Sequence, residues 1–203
     1  MKIVQIGEFY KKGTFYKKEL ALIKKEKKFN GVAYIVKKIF FNTIFVIKTD
    51  FATVRMLRKE GFKPNVLSVS GILYYKDSLL LHKRSLNSDT YPGYFHFFGG
   101  GVESFDVFKD IKREILEESG LRADCKKIGL YFEETGIISI IFKCKGKGEI
   151  KSNWEGEIYK IKSLKSLKLT PMAEWGLKLN TPYRKEKHHH FTNVELPFRL
   201  RFL

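Results

Sequence analysis

The chain has 203 residues, 43% of them hydrophobic and 15% aromatic, with a formal net charge of +17. That length and apolar content describe a folded protein and suffice for one large or two small buried cores. No apolar run approaches the about 20 residues of a membrane span, and lysines interrupt the N-terminus where a signal peptide needs an apolar core, so a soluble cytoplasmic protein is expected.

Residues 1–63 carry 16 Lys or Arg against 5 Asp or Glu, so most of the net charge sits in the first third. This asymmetry suggests a separate small α+β unit that packs on the rest of the chain or mediates homodimerisation. Its charge suits a polyanion such as RNA. The excess of 31 lysines over 8 arginines is equally what an AT-rich coding sequence produces. Within the unit, 14–29 is compatible with a short amphipathic helix, and 31–39 and 40–48 read as a hairpin of β-branched and aromatic residues. Asp50 offers an N-cap for a helix through about Glu60, stopped by Gly61 with Pro64 beyond.

From Asn65 the pattern changes to strands, Val66–Tyr75 and Ser78–Lys83, about a Lys76-Asp77 turn. A polar loop from Arg84 ends in Tyr91-Pro92-Gly93 and returns through 94–98 to Gly99-Gly100-Gly101, which reads as a glycine turn. His82, Lys83 and Arg84 are candidate phosphate contacts. A helix is predicted from about Asp106 to Ser119, with Ser104 or Asp106 as cap, Gly120 as its left-handed stop, and Phe108, Ile111 and Ile115 as the apolar stripe. Asp110, Glu114, Glu117 and Glu118 fall on another face. Like charges four apart are mutually repulsive, so this cluster calls for a cation. Arg113 supplies one, and hard Mg2+ or Mn2+ suits carboxylate oxygen.

Strands are predicted over 127–134 and 136–145, followed by an acidic loop and strand at 153–163, and a helix from Pro171 to about Leu179 with proline in its first turn. Cys125 and Cys144 are widely spaced and are expected to be reduced and inert. His188-His189-His190, in the tail 181–203, reads as a solvated cluster, because adjacent residues on a strand cannot all face one ion.

The run Arg113-Glu114-Ile115-Leu116-Glu117-Glu118-Ser119-Gly120-Leu121 resembles the second half of the Nudix box, with the glycines on the expected side. The resemblance covers roughly 64–180 and implies an α/β/α sandwich with a mixed sheet, an α/β (α+β) fold preceded by the basic unit and followed by the C-terminal extension. It implies divalent-metal-dependent hydrolysis of a diphosphate in a nucleoside diphosphate linked to another group. It further implies Glu114, Glu117 and Glu118 as metal ligands, with the Gly100 carbonyl and, from the acidic loop, Glu155 (Glu157 second). Glu114 or Glu118 would act in catalysis, and Arg113 would orient Glu114. Arg84, Lys83 and Tyr91 would contact substrate. The match departs at one position: counting back from Arg113, Phe105 stands where the family has glutamate, and a one-residue deletion would put Asp106 there instead. Two other functions therefore compete: a Nudix-fold binding or sensor module, and an RNA-directed, decapping-like enzyme.

Overall fold

Lys76 and Asp77 both adopt positive φ, 47° and 60°, the backbone of a two-residue hairpin turn whose twist matches the flanking strands. In the computed structural model, which describes residues 1–26, 30–86, 88, 90–151 and 156–179, this turn joins β4 (Val66–Tyr75) to β5 (Ser78–Arg84). Ahead of them come β1 (Lys2–Glu8), α1 (Thr14–Lys25), β2 (Val32–Phe40), β3 (Thr43–Asp50) and α2 (Phe51–Lys59). After them come β6 (Phe95–His96), β7 (Phe98–Gly101), α3 (Val107–Ser119), β8 (Arg122–Glu133), β9 (Ile137–Lys147), β10 (Gly156–Ile161) and α4 (Pro171–Leu179). The tail 181–203, including His188-His189-His190, and Glu155 lie outside the described residues.

One mixed sheet runs β1-β3-β2-β4-β5-β10, with β9 parallel to β4, β8 antiparallel to β9, and β7 antiparallel to β4. Strand alternation divides β4 between two cores. Leu67, Val69 and Leu73 join Ile111 and Ile115 of α3, whereas Ile72 joins Ala173 and Leu177 of α4. The sheet is thus covered by α3 on one face and α4 on the other, the expected α/β/α layering. Residues 1–63 extend the same sheet, because β2 meets the start of β4 at Ile35 and Val66, and the Val36 amide donates to the Asn65 carbonyl at 2.7 Å.

Inside that first unit, local chemistry explains the elements. Asp50 caps α2 by accepting the Thr53 amide at 2.8 Å, and it also accepts from the Tyr16 hydroxyl and Asn30. Burial alone would raise its pKa, but these hydrogen bonds to the carboxylate outweigh burial and lower it. Glu19 of α1 is buried, and Arg55 (2.8 Å) and Lys59 of α2 hold its carboxylate. The buried charge is thereby compensated across the α1–α2 interface.

Several expectations are corrected. The three glycines form strand β7, not a turn: Gly99, Gly100 and Gly101 pair with Ser70, Val69 and Ser68. A Cβ on Gly99 would lie 2.1 Å from the Val69 carbonyl oxygen, at φ 149°, so only glycine permits this approach. On α3, Val107 takes the core position assigned to Phe108, which is 44% exposed and meets Phe142 edge-on at 5.2 Å. Positions 107, 111 and 115 follow the i, i+4 row of the helix, and 108 lies one residue off it. Cys125 and Cys144 are bonded to each other as a disulfide, not free thiols, because β8 and β9 place them directly opposite with Cα atoms 4.2 Å apart. Strand β1, parallel to β3, had no counterpart among the predicted elements. No helix among the described residues is long and apolar enough to cross a membrane.

Candidate functional site

The site begins with how closely α3 sits on the sheet. Asp106 caps its first turn, accepting from Phe108 N (3.0 Å) and Lys109 N (3.1 Å), and Gly120 ends it in the left-handed region at φ 71°. Between these ends, Ile111 and Ile115 press on Gly71 of β4, where a Cβ would stand 3.1 Å from Ile115 Cδ1. This close seat brings the neighbouring helical row, Asp110, Glu114 and Glu118, against β7 and the loop that follows it.

Each carboxylate then has a distinct environment. Glu118 is buried, and its Oε2 accepts the Gly99 amide at 2.9 Å. Its Oε1 lies 3.9 Å from Nδ1 of buried His82. Burial first, and Arg84 second, lower the His82 pKa, so near neutral pH this contact is with an uncharged imidazole. His96, at 5.0 Å ring separation from His82, is depressed well below the ordinary histidine value for the same leading reason, burial. Glu114 lies over Gly100: a Cβ there would come within 2.6 Å of Glu114 Oε1. Glu117 is exposed on the outer side.

Arg113 gathers the outer carboxylates. Its Nη2 donates to Glu114 Oε1 at 2.7 Å, its Nη1 to Glu117 Oε2 at 2.9 Å, and Glu103 Oε1 stands 3.6 Å away. Burial would lower the guanidinium pKa, but Glu114, Glu103 and Glu117 together raise it. Asp110 turns the other way. Its buried Oδ2 accepts the Glu103 (3.3 Å) and Ser104 (3.1 Å) amides and so pins the β7–α3 loop.

A cavity of about 450 Å³ shares the β7 glycines and Glu103 with this arrangement, while Arg113, Glu114, Glu117 and Glu118 are not among its lining residues. Its floor includes Ser68 and Ser70 of β4 and the glycines of β7, and Glu103 lies on its wall. Arg84 and Thr90 line one side, with the Arg84 guanidinium held by the Thr90 carbonyl at 2.8 Å. The first sixty residues also contribute to the lining, through Ala33, Val54 and exposed Arg58.

The structure therefore brings Arg113, Glu114, Glu117, Glu118 and Gly100 together, with Arg84 sharing the cavity lining with Gly100, but not Lys83 or Tyr91. Strand alternation turns Lys83 to the α4 face, where its ammonium lies 5.9 Å from each of the Phe95 and Tyr159 ring centroids. Tyr91 is outside the described cavity lining; burial and a hydrogen bond to Glu133 push its pKa up to about 12. His82 is 2% exposed and faces Glu118, away from solvent phosphate. Asp110, grouped by the sequence with the glutamates of the acidic face, holds the β7–α3 loop instead, and Arg58 went unassigned. Nothing local marked Arg58.

Do these groups suit a divalent ion? Among the described residues no three His, Cys, Asp or Glu side chains form a ready metal cluster, since Arg113 occupies Glu114 and Glu117 and the Gly99 amide occupies Glu118. The donor chemistry nevertheless fits: the groups are all oxygen, as hard cations require, and the side-chain-free Gly100 leaves the strand backbone open beside Glu114.

Comparisons with solved structures give partial superpositions. A MutT protein from Methanosarcina mazei Go1 is 27% identical, covering 57% of this chain and 94% of its own, with a TM-score of 0.45. A MutT NUDIX hydrolase from Burkholderia pseudomallei is 18% identical, covering 55% and 95%, with a TM-score of 0.47. A bifunctional NMN adenylyltransferase/ADP ribose pyrophosphatase from Francisella tularensis, complexed with AMP and a Mn ion, is 17% identical, covering 62% and 43%, with a TM-score of 0.47. No curated protein matches. The NUDIX domain family matches residues 64–183, more than half of the chain, and on that match the protein belongs to the family.

Proposed function

We propose that this protein is a Mg2+- or Mn2+-dependent pyrophosphohydrolase acting on a small nucleoside diphosphate linked to a second group. The observation that carries the reading is the placement of Glu114 and Glu118 against the β7 glycines, which themselves line a cavity together with Arg84 and Arg58. An anionic diphosphate entering the cavity would find both guanidinium groups, which suit phosphate oxygens by charge and fork geometry. A bound divalent ion would polarise a phosphoryl oxygen and acidify a water.

Glu114, Glu117 and Glu118, with the Gly100 carbonyl, are the proposed ligands, and Glu155, outside the described residues, is a further candidate. Arg113 orients Glu114 and yields Glu117 when a cation binds. Glu114 or Glu118 accepts the proton from the attacking water, and both are held within a turn of the same helix. The module 64–180 does the chemistry in this reading, and 1–63 walls the cavity.

A second reading, a binding module, is favoured by the self-neutralised pairing of Arg113 with Glu114 and Glu117 and by Phe105 in the box. A screen of nucleotide sugars, dinucleoside polyphosphates, NAD, coenzyme A and capped RNA with Mg2+ or Mn2+ separates the two. Hydrolysis of one class supports the enzyme, whereas binding of a nucleotide without turnover supports the module. Preference for capped RNA, with affinity falling steeply as salt rises, would instead assign the basic N-terminal unit to RNA.

A further inference from the structure

Phe105 stands at the box position where the family resemblance calls for a glutamate, and the structure shows what it does instead. The loop from Val102 to Asp106 must hold Glu103 beside Arg113, whose guanidinium in turn holds Glu114 and Glu117. Asp110 grips this loop from α3 through the Glu103 and Ser104 amides. The second grip comes from outside the NUDIX match. Tyr34 of β2, 4% exposed, places its ring 5.5 Å from that of Phe105 at an interplanar angle of 42°, and its hydroxyl lies 3.5 Å from the Glu103 carbonyl oxygen. That hydroxyl contact is at the long limit of a hydrogen bond, so the ring pair is the stronger element.

We infer that Tyr34 and Phe105 are positioning residues for the metal-binding helix, an aromatic brace replacing the support a carboxylate would give at position 105. Tyr34 is immovable for its part: it lies in the main core and in a strand paired on both sides, next to Ile35 which bridges to Val66. Phe105, 51% exposed, gains its fixed place from that ring. The first sixty residues therefore hold the active-site loop as well as bounding the cavity. This inference rests on the hydrolase reading for its catalytic consequence, though the brace itself is a property of the metal-free protein.

The test uses Phe105, because truncating buried Tyr34 would report folding. Amide exchange at Glu103 and Ser104 in the metal-free full chain is expected to rise roughly two- to tenfold in Phe105→Ala, the weight of one aromatic pair, and to stay at the wild-type rate in Phe105→Tyr. Mn2+ affinity and kcat should fall by a similar factor in Phe105→Ala with KM unchanged, and Phe105→Tyr should restore them. Phe105→Glu is the discriminating variant. If position 105 is a defect, restoring glutamate raises Mn2+ affinity or turnover; if the brace holds, it lowers both and speeds exchange. Unchanged exchange in Phe105→Ala, or improved metal binding or turnover in Phe105→Glu, overturns the inference. A wild type that binds no Mn2+ and hydrolyses nothing overturns the hydrolase reading instead, and the exchange rates then still decide whether the brace exists.

Discussion

The Gly99 amide donates to Glu118 Oε2 at 2.9 Å and so ties the last turn of α3 to strand β7. One carboxylate thus stabilises the fold and, in the proposed mechanism, serves the metal. Glu117, one residue earlier and exposed, has no such structural duty. Glu118→Ala should therefore cost about 1–3 kcal/mol, the penalty for a buried donor left without a partner. Glu117→Ala should stay within roughly ±0.5 kcal/mol. Denaturant titration of both variants checks this contrast.

Glu117→Gln and Glu118→Gln should keep the fold and lose the ion. Mn2+ affinity and turnover are expected to drop by at least the roughly 10–100-fold that loss of an outer-sphere partner costs a metal site. Metal titration beside the hydrolysis assay measures both, and unchanged affinity in the two variants would remove them from the ligand set.

The glycines of β7 should respond differently to alanine. At Gly100 the added methyl meets the end of a flexible side chain, Glu114, so the carboxylate swings aside and activity falls while stability changes by less than about 1.5 kcal/mol. At Gly99 the methyl meets the Val69 backbone at 2.1 Å, and neither side can yield. Gly99→Ala should lose roughly 3 kcal/mol or more through strain and broken pairing. Thermal unfolding and turnover together separate these outcomes.

Arg58 and Arg84 both line the cavity. Replacing either by alanine removes one charge-assisted contact of about 1.5–3 kcal/mol, so kcat/KM should fall roughly 10–100-fold. Arg58→Ala, outside the proposed ligand set, should act through KM. An unchanged KM would show that the N-terminal wall does not touch substrate.

Asp50 makes stability depend on pH with a definite sign. Its folded pKa is lowered, so its contribution is complete above the unfolded value of about 3.9 and disappears as pH falls through the folded value. His82 and His96 are also depressed, chiefly by burial. Their neutral forms favour the fold, and stability should decline as pH drops below the unfolded histidine value of about 6.5. Unfolding free energies measured across pH for wild type and Asp50→Asn should converge in acid, since the asparagine cannot ionise.

What the amino-acid order determined by itself is local. Asp50 and Asp106 at helix starts, Gly61 and Gly120 at helix ends, and Lys76-Asp77 between two strands act on neighbours a few residues away, so the elements they bound were legible. The spacing of Glu114, Glu117 and Glu118 likewise follows from helical pitch. Contacts between distant segments were decided by the tertiary structure. Three glycines read as a turn because glycine is permissive, yet β4 draws them into a strand, with a backbone approach at Gly99 that only glycine allows. Val107 displaced Phe108 because the seat of α3 on Gly71 selects which helical row is buried. The Cys125–Cys144 bond depends on strand register, β1 on a parallel partner 41 positions away at Lys2 and Thr43, and the Tyr34–Phe105 brace on the join between β2 and β4. Each is a packing choice among partners far apart in the chain, and local propensity holds no information about which partner wins.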